Sequence, residues 1–190
     1  MASARLWSRP GHSVVALALV CSFSARDAEA QAAASREFQI RAAFLSNFGQ
    51  FVTWAPGGLP DADVPFRICL LGDDPFGETL DGLVEGRQIQ GRRVDVARLR
   101  EVGDVGACQI LYVSGSETSR LDTIFAALAG RSILTVGETE GFFERSGMIR
   151  FVVVANRLRL HVNAAAAAGV GLTISSRLLS LADVVRTDED

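Results

Sequence analysis

Residues Arg67 to Gly77 read RICLLGDDPFG, and the fold turns on how this stretch is read. Phe66 to Gly72 is a short apolar run bounded by Pro65 and Gly72. It is too short for a helix and suits a strand buried on both faces. Asp74-Pro75 then opens a helix. Asp is a good N-cap, and Pro fits the first helical position because its missing N–H would have no partner there. The predicted helix reaches about Glu85, with Phe76, Leu80, Leu83 and Val84 on its inner face. Two readings of the double carboxylate stay open at this point. Asp73 and Asp74 suit a cation or phosphoryl site, and they suit the cap of the next helix.

The same grammar extends outward from this unit. Ser35 to Val52 carries Phe38, Leu45 and Val52 in one row and Ile40, Phe44, Phe48 and Phe51 beside it, the stripe of an amphipathic helix. Val94 to Val96 alternates and begins a second strand. Cys108 to Val113 (CQILYV) is a third strand, apolar at most positions. Thr118 to Leu128 is a helix ended by Gly130, and Ser132 to Val136 is a fourth strand. Met148 to Val154 and Arg157 to Asn163 flank Ala155-Asn156, a hairpin whose turn suits the positive φ that Asn tolerates. Its second strand sets Arg157, Arg159 and His161 on one face and Leu158, Leu160 and Val162 on the other. Ala164 to Ala168 begins a short helix. Ser175 to Val185 reads as a final one, with Leu178, Leu179, Leu181, Ala182 and Val185 inward. Strands alternating with helices predict an α/β fold. The expectation is a single three-layer domain, a mostly parallel sheet flanked by helices, with a C-terminal antiparallel hairpin and a terminal helix.

The chain has 190 residues, of which the first 30 form a secretory leader. Arg5 and Arg9 precede the apolar run Ser13 to Ser24, and Ala28-Glu29-Ala30 supplies a small-x-small site, so cleavage is expected after Ala30. Val20 before Cys21 is a poor lipobox residue. No other apolar run has the ~18 residues of a spanning helix. The expected product is a single exported domain over 31–190, frayed at 186–190, that does not insert in a membrane. Without Arg5, Arg9, Arg26, Asp27 and Glu29 it carries 16 basic and 20 acidic residues, a net charge of −4. That balance argues against nucleic acid as a partner. Every basic residue is Arg, which excludes Schiff-base lysine chemistry.

No dinucleotide fingerprint, Walker loop or nucleophile elbow occurs. The domain has one histidine, His161, and two cysteines, Cys69 and Cys108, too few for a zinc site. We expect no metal, no cofactor and no enzymatic activity. In an open parallel sheet, ligands sit at the carboxyl ends of the strands. Asp73 and Asp74, Ser114, Ser116 and Glu117, and Glu138 and Glu140 fall there. A ligand or partner loop would draw on Asp73, Asp74, Ser116 and Glu138. Phe142 and Phe143 would join it if exposed, and an equally good reading buries them under the hairpin. Capping and solvation explain the acids more simply. For Cys69 and Cys108, an oxidising compartment favours a disulfide, with two buried thiols as the competing reading. In a doubly wound order their strands are neighbours, which brings the two within bridging reach.

Several stretches together resemble the YfiR-like family of periplasmic regulators. They are IRAAFLSNFGQFVTW (40–54), ICLLGDDPFG (68–77), CQILYV (108–113), ILTVGE (133–138), GFFERSGMIRF (141–151), NRLRLHVN (156–163) and GLTISSRLLSLA (171–182). They span nearly all of the mature chain in order. The resemblance implies a non-enzymatic regulator that binds the periplasmic part of a membrane sensor, its best understood member repressing a membrane-bound diguanylate cyclase. It also implies that Cys69 and Cys108 pair as a stabilising disulfide, and that the protein tends to form a homodimer. Some members carry a second cysteine pair near the hairpin, and this chain does not. The alternative function is that of a periplasmic small-ligand-binding accessory protein.

Overall fold

The computed structural model describes residue 31, residues 35–155 and residues 157–185. The leader and its cleavage site, Asn156 of the hairpin turn, and Asp188, Glu189 and Asp190 lie outside the described residues. By contacts between Cα atoms the chain divides into 1–37 and 38–190, and the second unit holds every strand. In that unit helix α1 runs through 38–47. The other helices are α2 (Glu78–Val84), α3 (Leu121–Leu128), α4 (Ala164–Gly169) and α5 (Ser176–Leu179).

The central strands are β2 (Phe66–Leu71), β4 (Arg92–Leu99), β5 (Ile110–Val113), β6 (Leu134–Gly137), β7 (Ile149–Val154) and β8 (Arg157–Val162). Two short strands, β3 (Gln88–Ile89) and β10 (Asp183–Val184), complete an eight-stranded sheet in the order β10-β8-β7-β6-β5-β2-β4-β3. Only β3–β4 and β7–β8 are antiparallel within it. The expected three-layer α/β architecture follows from side-chain alternation along the buried strands. Ile68, Leu70, Ile110, Tyr112, Leu134 and Val136 face one core with α1, α2 and α4. Cys69, Leu71, Leu111 and Val113 face the other with α3. Both faces are covered, so the strands read as continuous apolar runs.

Four local expectations are corrected. The helix predicted to reach Val52 leaves the α conformation after residue 47, passes through a 3-10 turn, Phe48–Gln50, and becomes strand β1 (Val52–Trp54). β1 pairs antiparallel with β9 (Leu172–Ile174), and both bury alternate residues. Strands this short leave too little periodicity to detect. The second strand begins at Arg92, two residues before the expected Val94, and is joined to β3 through Gln90 and Gly91, both at positive φ. The predicted 118–128 helix is a 3-10 segment, Gly115–Arg120, followed by α3. Finally, the terminal helix is the single turn α5 rather than Ser175–Val185. The chain then extends into β10, which pairs parallel with β8 at His161 and Val162. Backbone pairing with that open edge wins over the helical pattern, and Leu181 is left 65% exposed instead of facing inward. In the hairpin, Ala155 carries the positive φ of the turn.

Candidate functional site

The carboxyl ends of β2, β5 and β6 bring together the acids that the sequence placed there, and the carboxylates of Asp74, Glu117 and Glu138 already have partners. Gly72 sits at φ +89°, and a side chain there would meet Glu117 Cγ and Oε1 at 2.8 Å. This close approach lets the Asp73 N–H donate to Ser116 Oγ at 3.0 Å. Asp74 Oδ1 accepts from the Phe76 N–H at 2.7 Å and the Gly77 N–H at 3.1 Å. The cap therefore closes the turn ahead of α2, which begins at Glu78 and not at Pro75. Asp74 Oδ2 accepts from Arg98 Nε at 2.8 Å, and Arg98 also holds Asp81 Oδ2 at 2.7 Å. Glu117 is buried and bonded by Arg120 Nε at 2.8 Å. Glu138 pairs with Arg41 of α1, whose guanidinium also lies 5.9 Å from the centre of the Phe151 ring.

These contacts make Asp74 the cap of the turn ahead of α2. Burial by itself would raise the Asp74 pKa. Hydrogen bonds from the Phe76 N–H, Arg98 and the Gly77 N–H outweigh it and hold the carboxyl below its ordinary range. Arg98 is pushed up by its bonds to Asp81 and Asp74. Tyr112, fully buried below Glu138 and Arg41, is pushed up chiefly by burial and then by the Glu138 charge. Among the described residues, no three His, Cys, Asp or Glu gather where they could hold a metal ion. Removing the cap by Asp74→Ala is expected to cost about 1–2 kcal/mol at neutral pH. The exposed side of the Arg98 pair is screened by solvent, so the loss comes mainly from the two backbone bonds. Because the folded pKa is depressed, the carboxylate's contribution is complete above the ordinary value of 3.8 and fades as pH falls through the folded value. Urea midpoints of wild type and variant should differ at about pH 7 and draw together as pH falls below the ordinary value of 3.8.

Phe142 and Phe143 are not an exposed edge. Phe142 is fully buried, with its ring edge-on to Phe125 at 5.2 Å, and Phe143 is 9% exposed beneath Arg150. Neither ring offers its face to a partner. The arginines that neutralise the acids were not singled out from the sequence. Their only signal was an all-Arg basic complement and a charge, Arg41, inside the apolar stripe of α1.

The exposed apolar surface lies elsewhere. α1 and α5 leave between them a groove of about 330 Å³ lined by Ile40, Phe44, Phe51, Leu178 and Leu181. Ile40 of the predicted stripe is 43% exposed and Leu181 beyond α5 65%, while Leu45, Phe48 and Val52 are buried in the core and Phe44 and Phe51 pack partly buried against it. Apolar surface held open on rigid elements is the physical signature of an interaction face. The Cys69–Cys108 disulfide is present, with its Cα atoms 5.9 Å apart. It joins the middle of β2 to the end of the 3-10 segment Val102–Ala107, inside the core under α3.

The profile of the YfiR/HmsC-like family matches residues 38–183. The chain belongs to this family. The matched span runs from α1 to β10 and contains the groove, the capped acids and the disulfide. No curated protein matches the chain. Among the described residues of this YfiR/HmsC-like protein, no helix is long and apolar enough to cross a membrane.

Proposed function

We propose that the mature protein is a periplasmic regulator that binds the periplasmic part of a membrane sensor, a diguanylate cyclase, and holds it inactive. Membership of the YfiR/HmsC-like family carries this reading. The buried disulfide supports export, because such bonds persist in oxidising compartments. The α1–α5 groove supports a protein partner, since it offers apolar area with one arginine, Arg177, stacked over Phe51 at its margin. We assign the protein no reaction, because Asp74 and Glu138 at the strand ends are engaged in a cap and in ion pairs. A receptor for small ligands built on Asp73, Asp74, Ser116 and Glu138 is the weaker reading for the same reason.

Repression needs no chemistry, only different affinity for two states of the sensor. Moving a sensor from almost wholly active to almost wholly inactive takes about 10⁴-fold tighter binding to the inactive state. Deleting the gene should raise cyclic-di-GMP, and complementation should lower it. Leu181→Glu should fail to complement while costing less than about 0.5 kcal/mol of stability, because the side chain is largely exposed. Full repression by Leu181→Glu would remove the groove from the interface. Unchanged nucleotide levels after deletion, with no sensor recovered by pull-down, would refute the reading. Sedimentation of the free protein separates the partners: a dimer dissociated by Leu181→Glu would assign the groove to a second copy.

A further inference from the structure

A second cavity, of about 320 Å³, opens between α3 and α4. Its size falls in the range that small-molecule sites use, roughly 300–1,000 Å³. Leu128, Ile133 and Met148 wall it, each 6% exposed or less. Thr135 lies at its base, 2% exposed. Its hydroxyl oxygen accepts from the Met148 N–H at 3.1 Å, which leaves the hydroxyl proton free to donate. Two arginines line the same cavity. Arg145 is spent, bonded to both Asp122 oxygens and to the Gly141 carbonyl. Arg131 is exposed, and its guanidinium has no hydrogen-bond or ion-pair partner among the described residues. The cavity is thus an apolar slot with one hydroxyl inside and one unmatched positive charge at its mouth.

We propose that this cavity binds a single-chain carboxylate, a medium-chain fatty acid, with the alkyl chain against Leu128, Ile133 and Met148 and the carboxylate on Arg131. Alkyl burial supplies affinity, and the guanidinium selects the anionic head because it accepts a carboxylate through paired N–H groups. The site is separate from the α1–α5 groove and does not depend on the sensor reading. A diacyl lipid brings two long chains and a bulky headgroup to a cavity of about 320 Å³, which favours the free acid.

Isothermal titration of the mature protein with the even-numbered acids from hexanoate to tetradecanoate, below their micelle concentrations, tests this. Affinity is expected to rise about fourfold per methylene until the slot is full, then level off. Arg131→Gln should weaken decanoate by about tenfold or more and leave decanol unchanged, a contrast that a folding defect would not produce. Decyltrimethylammonium should bind more weakly than decanoate. A diazirine-tagged decanoate should label Leu128 and Met148. Labelling of Phe44 and Leu178 would place the amphiphile in the partner groove and overturn the proposal. Equal affinity for decanoate and decyltrimethylammonium, no binding of any acid, or preference for phosphatidylglycerol vesicles would overturn it as well.

Discussion

Opening the Cys69–Cys108 bridge is expected to lower the unfolding free energy by about 2–5 kcal/mol. The bond closes a loop with a sequence separation of 39, for which chain entropy alone gives roughly 4 kcal/mol. Its position sharpens the expectation. Cys69 is fully buried and Cys108 5% exposed, both in the core that α3 covers. The loop they close contains α2, β3 and β4, so the bridge restrains one whole edge of the sheet against β5. Urea unfolding of the oxidised protein, the reduced protein and the Cys69→Ala/Cys108→Ala variant measures the effect. The reduced protein and the double variant should lose stability together, and adding reductant to the variant should change nothing. A loss below about 1 kcal/mol would mean that the unfolded chain already keeps these segments together, which the entropy model omits. A few kcal/mol is a large share of the 5–15 kcal/mol that typical domains have.

Much of this architecture was legible because both faces of the sheet are covered. β2, β5 and β6 are nearly uninterrupted apolar runs of four to six residues, a pattern that helices rarely show. The hairpin was legible from the opposite pattern, since Arg157, Arg159 and His161 alternate with Leu158, Leu160 and Val162 along a strand with one open face. The misreadings lie where pairing partners are distant in sequence. β1 is helical by periodicity and becomes a strand because β9, more than a hundred residues later, supplies its hydrogen bonds. β10 is written in residues that also suit a helix, and the free edge of β8 decides.

The candidate site shows the same limit. That Asp74 caps a turn could be read from Asp-Pro, because the bond is local. That Glu138 is answered by Arg41, 97 residues away, and Asp74 by Arg98, 24 away, could not. Side-chain pairing across the fold is invisible to spacing rules, so Asp74 and Glu138 look available until the arginines are placed. The groove was hidden for a related reason. A wide apolar stripe predicts burial, and only the early end of α1 and the shortness of α5 leave its outer rows uncovered.

Phe142→Ala is expected to destabilise the protein by about 3–5 kcal/mol, the usual cost of emptying a buried aromatic site. The ring is fully buried between two glycines and packs on Phe125. At Gly137 a methyl group would fall 2.6 Å from Phe142 Cε2 and 2.9 Å from Cζ, and Gly147 is tighter still, with both the ring and the Phe142 carbonyl against it. Gly137 ends β6 at an ordinary φ, so its backbone tolerates alanine and only the ring objects. Gly137→Ala alone should therefore cost about 1–3 kcal/mol through overpacking. In the Phe142→Ala background the obstacle is gone, and the added methyl enters the vacated space. The double variant should then be no less stable than Phe142→Ala, giving a coupling energy of about 1–3 kcal/mol. Gly147→Ala serves as the contrast. Its clash with the Phe142 carbonyl survives loss of the ring, so its penalty should persist in the double variant. Additive losses at Gly137 and Phe142 would mean that the ring moves aside in the single variant. The loop would then be softer than a fully buried ring requires, and Phe143 beside it, 6.4 Å away and 9% exposed, could swing outward. The cycle thus decides whether this loop is a fixed part of the core or a segment able to open toward a partner.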